Sequence, residues 1–187
     1  MRVIKRLIKL LVIFVLVFDL LIIVLANNDY YFTFLKKTGI IFPTLITIIS
    51  LYLLAWIQKI KGYWIFAGSV VAFILLGKIF LTYFVTVFSY DYIKSPTGDI
   101  TLVIEHRDAT LGETHHFYNF YRNTAFPMVI KKLNKDTVSI VTRGTNDDNL
   151  EVLGVNNAEW IEGEGVIFYS KYAKTKVNIN TVGYEGE

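Results

Sequence analysis

The sequence predicts a membrane α + β fold: three transmembrane helices followed by a small, mostly antiparallel β-sheet domain outside the cytoplasm. Three observations carry this expectation. Of the 187 residues 53% are hydrophobic and mean hydropathy is +0.45, too apolar for an ordinary soluble domain of this length. Charge is divided unevenly: residues 1–89 hold nine Lys/Arg against Asp19 and Asp29, a net +7, whereas residues 90–187 hold ten against fourteen acidic residues, a net −4. Near Pro96 the pattern changes from long apolar runs to short stretches of period-two alternation. The boundary therefore falls close to residue 90, with a membrane region over 1–89 and a β domain over 90–187.

Crossing a hydrocarbon core of about 30 Å takes roughly 20 helical residues. Three runs approach that length, at about 8–26, 40–57 and 63–88. The first ends at Asn27-Asn28-Asp29, residues that continue a helix poorly. The second carries Pro43 in its first turn, where the missing N–H has no intrahelical partner to lose. A short link from Gln58 to Gly62 makes the second and third runs an antiparallel hairpin. Arg2, Lys5, Arg6 and Lys9 precede the first run, and Lys59 and Lys61 separate the second from the third; only Lys36 and Lys37 lie on the opposite side. By the positive-inside bias the amino terminus is cytoplasmic and the carboxy-terminal domain extracytoplasmic, in a bacterial cell membrane crossed several times. Val24-Leu25-Ala26 also resembles a signal-peptide cleavage site, which would leave two spans with the same final sidedness.

Seven strands are expected, at 101–107, 115–122, 126–132, 137–143, 150–155, 166–169 and 175–179, joined by turns rich in Asn, Asp and Gly. Successive hairpins imply a meander. The run Ser95-Pro96-Thr97-Gly98-Asp99-Ile100-Thr101-Leu102-Val103-Ile104 resembles the serine-proline-x-glycine strand signature of TolB-type propeller blades. Glu159-Trp160-Ile161 followed by Gly165-Val166-Ile167-Phe168 is similar to the second half of that pattern. A ring needs at least four blades of roughly 40 residues, so the resemblance implies one blade-like sheet. Residues 94–180 are also similar to uncharacterised small membrane-anchored proteins of low-GC Gram-positive bacteria, a resemblance that implies an envelope location and assigns no catalytic residue.

Several chemistries are excluded or left open by residue type. The acidic polar half and the membrane-hugging basic excess exclude a nucleic-acid partner. With no cysteine there is no disulfide framework, thiol nucleophile or Cys-ligated zinc. No Gly-x-Ser-x-Gly turn and no nucleotide-binding loop is present. Asp147 and Asp148 lack the alternating ligands of a calcium loop.

Two constellations remain. Asp19 lies about 17 Å above Ile8 and Lys78 about 22 Å above Tyr63 along helices of the same direction, so the two form a candidate intramembrane charged pair. Its readings are a clasp between spans, Lys78 snorkelling to the outer interface, or a proton or solute path in a small transporter or channel subunit. His106, His115 and His116, with Glu113, form a candidate metal cluster that would hold zinc if residue numbers across one hairpin sum to about 222, setting His106 against His116. Against it, His106 continues the apolar face of Leu102 and Ile104, and adjacent His115 and His116 point to opposite faces. Tyr118 and Arg122 offer a possible binding surface. The preferred function is a non-enzymatic recognition or accessory module with no cofactor. Its partners would be the lipid bilayer and another envelope or membrane protein, cell-wall material, or a second copy. The alternative is a metal-dependent enzyme or sensor at the membrane surface.

Overall fold

The computed structural model describes residues 2–85, 87–162 and 164–181 and divides into two compact units, Met1–Thr86 and Val87–Glu187. Helices fill the first and antiparallel β-sheets dominate the second.

In the first unit α1 (Arg2–Asn27) leads through a short extended segment, β1 (Tyr30–Phe32), and α2 (Thr33–Thr38) to α3 (Ile41–Ile57) and α4 (Gly62–Val85). Helix α1 stops where Asn28 Nδ2 donates to the Val24 carbonyl at 2.7 Å, satisfying one orphan acceptor of the last turn. By length and composition α1 and α4 can each cross a membrane, and few of the described residues on either are fully buried. Helix α3 is equally apolar but has 17 residues, a rise of about 25 Å, less than a full hydrocarbon core. Val12 and Val15 are buried on α1, and on α3 Pro43 and Ser50 are buried at helical spacing. Helix α1 packs on α3 and α3 on α4, where the Tyr52 hydroxyl and Ser69 Oγ share a hydrogen bond.

The second unit opens with a strand outside the seven expected, β2 (Ser89–Lys94), in which Tyr90 and Tyr92 are ladder residues. The serine-proline-threonine-glycine run is the turn that returns β2 into β3 (Thr101–Leu111): Ser95 and Ile100 are joined through backbone N–H to carbonyl at 2.9 Å, and Gly98 adopts φ +80°. Strand β4 (Glu113–Asn123) pairs with β3 along its length. Past the hairpin it exchanges partners, pairing with β5 (Val129–Lys132) at Tyr121–Asn123 and with β6 (Val138–Thr142) at Thr114–Tyr118. Asn134 bridges the exchange: its Oδ1 accepts from Phe120 N at 2.7 Å while its Nδ2 donates to the Asp136 carbonyl. A second sheet contains β7 (Glu159–Ile161), β8 (Gly165–Phe168) and β9 (Val177–Asn180) in that order.

Residues 149–153 form a helix, α5 (Asn149–Leu153), where the sequence pattern predicts a strand. Asp148 accepts from Glu151 N as its N-cap and Gly154, at φ +85°, closes it in the left-handed region. These two end signals outweigh the single β-branched residue of the piece, Val152. The core lies between the first sheet's inner face, which presents Leu102, Ile104, Tyr118, Phe120 and Ile140, and a layer made by α5 and the second sheet through Val152, Leu153, Val166, Phe168 and Ile179.

Candidate functional site

The β3–β4 register decides what the histidines can do. A tip needs one residue at positive φ, and Gly112 supplies it at +81°, so the hairpin centres on Gly112 and pairs His106 with Tyr118 and His116 with Asp108. Residue numbers sum to 224, not 222, and His106 does not face His116. The pleat then separates the proposed ligands. His106 and His116 occupy the buried inner face, whereas His115 is exposed on the outer face, stacked on Phe117 with centroids 6.2 Å apart. Glu113 is held by the Arg143 guanidinium. Among the described residues no three His, Asp or Glu side chains have the arrangement to hold a metal ion.

Each inner histidine has a local partner. His106 Nε2 lies 2.7 Å from Asp91 Oδ2, whose carboxylate is 43% exposed, and its Nδ1 is buried without a hydrogen bond. His116 Nδ1 meets Asn149 Oδ1 at 2.6 Å and its Nε2 meets Thr142 Oγ1 at 3.0 Å. Tyr118, fully buried between them, donates to the Asn149 carbonyl at 2.7 Å. Burial first, then the carboxylates of Asp148 and Asp108, pushes the Tyr118 phenol far above its ordinary range, so it serves as a neutral donor. Tyr118 is therefore a core residue and not a binding surface, because it shares the face of Leu102, Ile104 and Phe120. Arg122, half-buried, donates to the Thr181 carbonyl.

Asp19 is held by another helix than expected. Thr47 Oγ1 on α3 donates to Asp19 Oδ2 at 2.6 Å, and Lys78 lies exposed on α4. Thr47 falls three residues before Ser50, so two hydroxyl side chains share one helix face within an apolar run.

On the outer face, Glu105, a carboxylate close in sequence to the histidine cluster, is buried and held by hydrogen bonds within the sheet. Tyr90 donates to its Oε2 at 2.8 Å, and Asn119 and Tyr121 donate to its Oε1 at 2.9 and 3.1 Å. Its odd-numbered position beside Val103 would have marked it, had the outer face been expected to bury anything.

Within the second unit the most exposed large apolar side chains include residues of its loops and turns. The Thr124–Val129 connection displays Phe126 and Met128, 74% and 68% exposed, in a loop closed by Thr124 Oγ1 donating to the Val129 carbonyl at 2.9 Å. Leu111, at the β3–β4 tip, is 97% exposed. Compared with family models, curated proteins and solved structures, the chain has no match.

Proposed function

We propose that this chain is a multi-pass protein of a bacterial cell membrane, cytoplasmic at its amino terminus, whose extracytoplasmic β domain is a non-enzymatic recognition or accessory module for an envelope protein or cell-wall partner. The observation that carries the recognition role is the division of labour between the faces. The buried histidines and Tyr118 are engaged in hydrogen bonds or rings of the domain itself, while Phe126 and Met128 are displayed to solvent on a hydrogen-bonded loop. Aromatic and methionine side chains held outward on a short ordered loop are the residue types enriched at protein contacts. Membrane anchoring is supported by the two long apolar helices with outward apolar surfaces, and the orientation by six basic residues on one side against two on the other.

The absence of native cysteine makes the test direct. In intact cells, Phe126→Cys should react with a membrane-impermeant maleimide while Lys59→Cys should not; the reverse pattern overturns the orientation. A photo-crosslinker at Phe126 should form one discrete adduct in its native membrane that Met128→Ser weakens without lowering thermal stability. A chain that crosslinks equally at Phe126 and at Lys135 has no recognition loop.

A further inference from the structure

We propose that the cleft between the start of α1 and the end of α3 binds an anionic glycerophospholipid, with Lys5 and Lys59 on its phosphate and Ile4, Trp56 and Ile57 against the first carbons of its acyl chains; this rests on the membrane-anchored reading above. Those five side chains line a recess of about 200 Å³ within the first unit. The packing of α1 on α3 that sets Asp19 against Thr47 also brings the first turn of α1 beside the last turn of α3. Two lysines far apart in sequence thereby line one recess.

Lys59 is fixed there by its backbone. Helix α3 ends in a Schellman turn, in which Ile60 N donates to the Ala55 carbonyl and Lys59 N to the Trp56 carbonyl, each at 3.1 Å, with Lys59 at φ +54°. Glycine is the usual residue at such a position and a lysine costs stability, so a positive charge is kept beside the recess at a strained site. No carboxylate of the first unit answers it. Asp19 and Asp29 are the only acids in residues 1–89; Asp19 lies about 21 Å along α1 from Lys5, and Asp29 follows the far end of that helix. The first turn of α1 holds no acid to offset its helix dipole, and Arg6, Lys9 and Lys61 add exposed positive charge on the adjoining turns. Trp56, 77% exposed, and the exposed Tyr63 and Trp64 are the aromatic types that settle at headgroup level. A phosphate between two lysines, above an indole and two isoleucines, meets charge with opposite charge and hydrocarbon with apolar surface.

The test uses the full chain in phosphatidylcholine vesicles carrying a trace of phosphatidylglycerol or of phosphatidylcholine with a diazirine near the glycerol end of one acyl chain. After irradiation, peptides containing Ile4 or Trp56 should carry several-fold more adduct from the phosphatidylglycerol probe, and unlabelled phosphatidylglycerol should compete where soluble glycerol phosphate does not. Lys5→Gln with Lys59→Gln should abolish the excess, whereas Lys9→Gln with Lys61→Gln, an equal loss of charge, should keep most of it. Lys59→Gly, whose backbone suits +54°, should reduce the excess without lowering thermal stability. Equal labelling by the two probes, or equal losses in the two double variants, in a chain that resists alkaline extraction overturns the cleft and leaves the anchoring intact. Release of the chain by alkali overturns both. Weak labelling by both probes together with disulfide-linked dimers of Trp56→Cys assigns the cleft to a second copy instead.

Discussion

His116 Nδ1 lies 2.6 Å from Asn149 Oδ1, joining the middle of β4 to the first residue of α5 across 33 positions of sequence. With Tyr118 donating to the carbonyl of the same Asn149, one short helix is fastened to the sheet by two hydrogen bonds over the core. Asn149→Ala removes the side-chain bond and leaves a buried imidazole nitrogen unsatisfied, which should lower stability by about 1–3 kcal/mol. His116→Leu combined with Asn149→Ala should cost less than the sum of the two single changes, as a double-mutant cycle by thermal or urea unfolding will report.

A second fastening, between the loop after β6 and the loop after β8, depends on pH. Lys171 Nζ lies 2.6 Å and the Tyr172 hydroxyl 2.7 Å from Asp147 Oδ2, and the lysine first, then the tyrosine, lower the Asp147 carboxyl to about 2. A depressed carboxylate contributes stability above its unfolded value of 3.8 and loses it as pH falls toward about 2. Lys171, raised above 10.5 chiefly by its bond to Asp147, contributes below 10.5 and loses that contribution as pH rises through its folded value. Amide exchange in the 145–148 loop should therefore stay slow relative to an Asp147→Asn variant from about pH 4 to 10, and the difference should vanish at the acid end. A variant matching the parent throughout would show that the clasp carries no stability.

Helix α1 should depend on Thr47 and not on Lys78. Thr47→Val strips Asp19 of its donor and should weaken α1–α3 association by about 0.5–2 kcal/mol, with Thr47→Ser restoring it. Lys78→Leu should assemble like the parent. A loss of assembled protein in Lys78→Leu equal to that in Asp19→Leu would instead identify the two as partners.

Two glycines are demanded by close backbone approach. A Cβ at Gly165 would collide with the Ile179 carbonyl across the β8–β9 ladder, and one at Gly154 would collide with the Tyr169 carbonyl at a residue already at φ +85°. Gly165→Ala and Gly154→Ala should each destabilise the domain by about 1–3 kcal/mol in urea titration, whereas Gly62→Ala, with open space around it, should be neutral or slightly stabilising.

Much of this architecture is legible in residue order because it rests on local periodicity. Apolar runs long enough for α1 and α4 follow from composition alone, and the inner face of β3 follows from Leu102, Ile104 and His106 alternating with their neighbours. Local cues were also present for α5, in Asp148 and Gly154, but β-branched content suggested a strand, and five residues are too few for periodicity to arbitrate. Tyr90 and Tyr92 of β2 follow closely on a long apolar helix, where aromatic side chains suit a membrane interface as well as they suit a ladder.

Sequence by itself determined which segments are apolar, where the charge balance changes, and that His115 and His116 must part to opposite faces, since each follows from the identity and spacing of near neighbours. Only the tertiary structure decided that Asp19 bonds to Thr47, that His106 opposes Tyr118, and that His116 bonds to Asn149. Those outcomes depend on which helix packs against which, and on a hairpin register set by the positive φ of Gly112. A one-residue shift of that tip changes every cross-strand partner without altering the alternation along either strand.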